Sequence, residues 1–138
     1  MNVTFTIPGK PKGKERPRFF RARNFIKSYT PKETASYENL VKVMFLSVAR
    51  KSGWKLLPLG QPLSVKIITH STIPASWSHK KQGSAWWCCS KPDADNIGKI
   101  VCDALNGIAY HDDAQVVVLE VRKMYSYHAH TIITLETL

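Results

Sequence analysis

Val3, Phe5 and Ile7 alternate with polar neighbours and the run stops at Pro8-Gly9, so the chain opens on a half-buried strand. From Thr30 the period changes. Pro31 suits a first helical turn after a threonine cap, and Tyr37, Leu40, Val41, Met44 and Phe45 recur at helical spacing. This predicts a helix of about five turns over roughly 31–50. A Gly/Pro-rich turn over 54–62 precedes Leu63, Val65, Ile67 and Ile68, which read as a second strand. Residues 71–91, broken by Pro74 and Gly83, read as a short helix or loop. A compact helix is predicted over 93–106 with Gly107 as its left-handed cap. The stretches 115–125 and 131–135 then read as an antiparallel pair, joined as a hairpin through the polar residues 126–130. The order strand, helix, strand, helix, strand, strand predicts an α+β fold. A mixed sheet packs with two main helices in a single domain, residues 1–138.

Charge adds a partner to that picture. The 138 residues carry 20 Lys+Arg against 10 Asp+Glu, a formal net charge of +10, while the 43% hydrophobic content is enough for a packed core. Such an excess favours a polyanion, nucleic acid or an anionic membrane. No apolar stretch approaches the roughly 20 residues that span a bilayer, and no basic amphipathic helix stands out, which favours nucleic acid and no membrane partner. The strand-like start lacks an apolar signal core, so a cytoplasmic protein is expected. Adjacent Cys88 and Cys89 with a solitary Cys102 make a poor disulfide framework, and no C-x-x-C or H-E-x-x-H spacing supports zinc. Buried free thiols are the expectation.

The cations cluster. Lys10, Lys12, Lys14, Arg16, Arg18, Arg21, Arg23 and Lys27 are interrupted by a single acid, Glu15, which suits a track along a DNA backbone. A solubilising loop is the plainer alternative, and Lys80, Lys81 and Lys91 would extend the track. The aspartates cluster too: Asp93, Asp95, Asp103, Asp112 and Asp113 are all that the chain has, and they lie within 21 residues. Gathered carboxylates oppose one another's ionisation, and a hard divalent cation is the simplest compensation. On the predicted helix Ile97, Val101, Ala104, Leu105 and Ile108 share one face, leaving Asp95, Lys99, Asp103 and Asn106 on the other. Capping by Asp93, dipole compensation by Asp95 and turn formation by Asp112 and Asp113 are the structural alternatives. Lys99 spaces four residues from both Asp95 and Asp103, fit for a surface ion pair or for stabilising charge on a phosphate.

The runs Lys91-Pro92-Asp93-Ala94-Asp95-Asn96-Ile97-Gly98-Lys99, Asp103-Ala104-Leu105-Asn106-Gly107 and Asp112-Asp113-Ala114-Gln115-Val116 together resemble the RusA family of Holliday junction resolvases. The resemblance extends to Gly9-Lys10-Pro11, Arg16-Pro17-Arg18, Tyr29-Thr30-Pro31-Lys32 and Ser76-Trp77-Ser78, and so covers most of the chain. It implies an endonuclease that acts as a homodimer on branched DNA, placing symmetrical nicks in four-way junctions with Mg²⁺, for which Mn²⁺ substitutes, in DNA recombination and repair. No small-molecule cofactor is expected. By motif, Asp93, Asp95 and Asp113 match the catalytic, metal-binding carboxylates, Asp112 stands beside them as a further metal candidate, and Lys99 matches the assisting lysine. Asp103 is expected to be structural. The resemblance also suggests a phage or prophage origin. Hydrolysis by metal-activated water would leave 5′-phosphate ends. Trp86 and Trp87 suit either packing in a core or interface, or stacking on opened bases. Two rivals remain at this point: a basic nucleic-acid-binding module without catalysis, and a less selective branched-DNA nuclease.

Overall fold

The computed structural model describes residues 1–78 and 86–138. Strand β1 (Asn2–Pro8) carries the opening alternation, with Val3, Phe5 and Ile7 buried. Two short strands follow, β2 (Arg18–Ala22) and β3 (Phe25–Tyr29), then helix α1 (Lys32–Ser52) and strand β4 (Leu63–Thr72). Helix α2 (Ala94–Leu105), a 3-10 turn (Asp113–Gln115), β5 (Val116–Ser126) and β6 (His130–Thr137) complete the order. The main sheet runs β1-β6-β4-β5, with β4 and β5 parallel and the other neighbours antiparallel. The fold is therefore α+β, a mixed sheet packed with two main helices. Parallel neighbours need a long crossover, and the segment containing α2 supplies it.

The predicted hairpin of the last two strands does not form, because β4 lies between them. Ser126 of β5 pairs with Thr72 and His130 of β6 pairs with His70, so residues 127–129 arch over the end of β4. The reason is burial: Leu63, Val65, Ile67 and Thr69 are all sealed in the core, and a strand so buried takes a ladder on both edges. A second difference lies in the basic segment, where β2 and β3 pair as a separate two-stranded ribbon that the charge pattern concealed. Ser71 and Thr72 still belong to β4, and the chain then turns at Pro74–Trp77. Lys80 and Lys81, predicted to extend the basic track, lie outside the described residues.

The core is one continuous cluster. Val3, Phe5, Ile7, Val65, Ile67, Ile133 and Leu135 meet Tyr37, Val41, Phe45 and Ala49 of α1, four residues apart, and Ile97, Ile100, Val101, Ala104 and Leu105 of α2. Phe5 and Phe45 pack edge to face at 5.6 Å. Each large side chain so buried stabilises by about 1.5–3 kcal/mol. Helix α1 ends at Gly53, whose φ of 75° gives the left-handed cap. Pro31 flanks this helix rather than entering its first turn, and its carbonyl accepts from the Ala35 amide. Cys88 and Cys102 are buried free thiols, but Cys89 is exposed, against expectation. Among the described residues no helix is long and apolar enough to cross a membrane.

Candidate active site

Burial of Ile97, Ile100, Val101, Ala104 and Leu105 fixes the rotation of α2 and leaves Asp95 and Lys99 on its solvent side, with Asp103 half-exposed one turn on. Asp93 is the residue before the helix, yet its side chain does not cap it. Its carboxylate instead accepts from Lys91 Nζ at 2.7 and 2.9 Å. That hydrogen bond holds Asp93 below the usual carboxylate range, and the charges of Lys91 and Lys123 add to the effect. The Lys91–Pro92 peptide between them is cis.

Asp113 arrives from the other side, on the 3-10 turn that leads into β5. That turn is held by a capping box. Asp112 Oδ1 accepts from the Ala114 amide at 3.1 Å, while Gln115 Oε1 accepts from the amides of His111 and Asp112 at 3.0 Å each. Gln115 Nε2 donates to the carbonyls of Pro58 and Gln61, at 2.8 and 3.0 Å. Gln115 is thus a buried positioning residue that motif reading passed over, although D-x-x-Q before an apolar run is the sequence sign of such a box. The hydrogen-bonded Asp112 carboxyl raises the pKa of Asp113; desolvation and the charge of Asp103 raise it further, and Lys99 opposes them.

The predicted acids therefore fall into two settings. Asp113 feels the like charges of Asp112 and Asp103 and the opposing charge of Lys99, and Lys99 Nζ lies 3.6 Å from Asp103 Oδ2. Asp93 is engaged by Lys91. Among the described residues, no group of three or more His, Cys, Asp and Glu side chains is gathered in the single chain as a metal cluster. The donor set still fits a hard dication by its chemistry: the oxygens are carboxylate, Asp95 and Asp113 are exposed, and the like-charge pressure on Asp113 is of the kind such a cation relieves. Beside this cluster, burial pushes the Cys102 thiol up to about 11, so it stays protonated at neutral pH.

The basic segment meets the acidic motif directly. Pro11 is buried, the Lys14 amide donates to the Asn96 carbonyl at 2.8 Å, and a Cβ on Gly13 would approach those of Pro92 and Asn96 to 3.0 Å. This close docking leaves a cleft of about 300 Å³ lined by Lys10, Lys12, Lys91, Asp93 and Asn96 among others. The cations are not equivalent. Lys14 is half-buried, pairing with Glu38 of α1 and, at 3.2 Å, with Asp103 of α2. Burial alone would depress its ammonium, but the hydrogen bonds to Glu38 and then Asp103 outweigh that and raise it. Lys14 is therefore a brace between helices rather than an open phosphate ligand, and Asp103 has the structural partner expected of it. Lys12 approaches Glu33 at 3.6 Å and Arg18 approaches Glu15 at 3.8 Å, while Lys10, Arg16, Arg21, Arg23 and Lys27 are exposed.

Trp86 and Trp87 are exposed, which removes the core-packing reading for both. They lie against the free edge of β5, where the Tyr125 amide donates to the Trp86 carbonyl at 2.7 Å and Trp87 bridges Met124.

Comparison with known proteins agrees with the family resemblance of the motifs. A family model described as Endodeoxyribonuclease RusA matches residues 8–136. The chain is also similar to a Bacillus subtilis (strain 168) protein named "Uncharacterized protein YqaN", 31% identical over 130 residues, which cover 90% of this chain and 88% of that one.

Proposed function

This chain belongs to the endodeoxyribonuclease RusA family, and on that premise we propose that it resolves four-way DNA junctions by paired symmetrical nicks, in recombination and repair. The observation that carries this reading is the meeting of the Lys10–Lys14 segment with the Asp93–Asn96 motif in one cleft. A basic wall there would neutralise phosphates and fix the strand, with Asp93 lining the same cleft.

Asp93, Asp95 and Asp113 would hold Mg²⁺ or Mn²⁺, with Asp112 beside them, and that ion would supply Lewis-acid polarisation of the phosphate and a more acidic bound water. Lys99 puts positive charge beside Asp113 and Asp103, suited to charge that develops on nonbridging oxygens. Lys91 pairs with Asp93 in the free chain, so Asp93 would have to leave that ion pair to hold a cation. Gln115 keeps the Asp113 turn in place throughout. A homodimer suits the task, since a four-way junction has approximate two-fold symmetry and two strands must be cut.

A non-catalytic DNA-binding module is the second reading, favoured by the structural partners that Asp93, Asp103 and Asp112 each have. Cleavage of a mobile four-way junction, a fork and a linear duplex with Mg²⁺ at one salt concentration separates the readings. The expected outcome is paired nicks in the junction. Asp93→Asn and Asp113→Asn should each reduce cleavage at least about 100-fold with junction binding retained. Binding without nicking, with Mg²⁺ and again with Mn²⁺ in its place, makes the module reading correct.

A further inference from the structure

The β2–β3 ribbon carries large apolar side chains that the core does not use. Phe19 and Ile26 are 71% and 70% exposed, and Phe20, Phe25 and Tyr29 are also open to solvent. Its register sets Phe20, Phe25 and Tyr29 with Arg18 and Lys27 on one face, and Phe19 and Ile26 with Arg21 on the other. On the first face Phe20 packs on Tyr29 at 6.0 Å and Lys27 lies 5.2 Å over the Phe25 ring. On the second, nothing among the described residues covers Phe19 and Ile26. A lone two-stranded hairpin with both faces wet is marginal by itself, so this ribbon is suited to gaining order from a partner.

We propose that the ribbon is a wedge for the open centre of branched DNA, with Phe19 and Ile26 against unstacked bases and Arg21, Arg23 and Lys27 on the flanking phosphates. This rests on the branched-DNA reading above. Charge decides the occupant. Arg18, Arg21, Arg23 and Lys27 sit on or between these strands with no acid among them, and Arg18 alone has an acidic neighbour among the described residues, Glu15 at 3.8 Å. A second copy on this surface would press like charges together, whereas a polyanion neutralises them. Intact duplex hides its base faces in the stack, while a branch point exposes them, and ring-to-base stacking is indifferent to sequence. The ribbon thereby adds a preference for opened over continuous duplex, which phosphate contacts cannot supply.

The test uses the full chain in EDTA, with a four-way junction carrying 2-aminopurine at its centre and a linear duplex of the same sequence as control. The parent should raise the 2-aminopurine emission. The Phe19→Ala/Ile26→Ala double variant should lose that rise and bind the junction about tenfold or more weakly, while duplex affinity changes less than about twofold. Phe19→Trp, which keeps a stacking plane, should retain the signal, and the thermal midpoint of each variant shows that the core is intact. Equal weakening on junction and duplex, unchanged emission in the double variant, or a change of its solution mass through lost self-association overturns the proposal. Parental binding to anionic lipid vesicles that the double variant loses, without any junction-specific effect, overturns it as well. The two readings fail separately: a ribbon-dependent signal with no Mg²⁺ cleavage sinks the nuclease alone, and cleavage with a ribbon-independent signal sinks the wedge alone.

Discussion

Ile97, Val101, Ala104 and Leu105 are sealed beneath α2, while Phe19 and Ile26 on the β2–β3 ribbon face solvent at the opposite extreme of exposure. Both regions carry charge beside apolar side chains, but the helix spends its apolar residues on anchorage and the ribbon leaves them free. Anchorage fixes the rotation of Asp95 and Lys99, as chemistry that tolerates little displacement requires. The ribbon presents its apolar side chains to solvent, where a partner can reach them. On the proposed reading, the anchored acidic helix would place the reacting phosphate and the open basic ribbon would recognise the surrounding DNA.

The sharpest way to break that division is Lys99→Ala. Turnover should fall by about 100-fold with junction affinity nearly unchanged if, as proposed, the lysine's charge acts on the transition state. Arg21→Ala on the ribbon should instead weaken binding and lower the slope of log affinity against log salt by about 0.9, the contribution of one phosphate contact. Equal losses of turnover and binding in Lys99→Ala would merge the two roles. Single-turnover cleavage and anisotropy titrations over a salt series measure both.

Lys14→Met tests whether the helix is rigid for the reason given. It leaves Glu38 without its partner and Asp103 with only Lys99, and a urea melt should show a loss of about 1–2 kcal/mol, discounted for partial exposure. No loss would mean that packing alone holds the acidic face.

The smallest effect lies in the sheet. His70 stacks on His130 with ring centroids 4.3 Å apart, and its Nδ1 is buried without a partner. Burial first, and His130 second, lower its pKa below the ordinary histidine value. The unfolded chain then binds a proton that the folded one refuses, so this contribution is fully present above about pH 6.5 and is lost as the pH falls through the lowered folded value. Thermal melts at descending pH should show His70→Gln flattening the decline seen in the parent. Identical pH slopes in the two proteins would remove the assignment.

Much of the site was legible because its signals are local. The 3.6-residue period fixed which face of α2 is buried and so put Asp95 and Lys99 on the open one, while Asp93, just before the helix, was singled out by its motif alone. The ribbon was illegible because the density of Arg and Lys masked an alternation whose apolar members have no core to face. Lys14 was misjudged for a related reason: its acidic partners come from 24 and 89 positions along the chain, and composition carries no record of that proximity.

From its sequence alone the protein's α+β character, its two helices and its basic character were determined by period and charge, and its family by the resemblance of its acidic motifs. Only the tertiary structure decided that β4 separates β5 from β6, that the basic loop docks against Asn96, and that the acids stand in two electrostatic settings. Those outcomes depend on which buried surfaces close against one another, a competition among distant segments that local spacing does not encode.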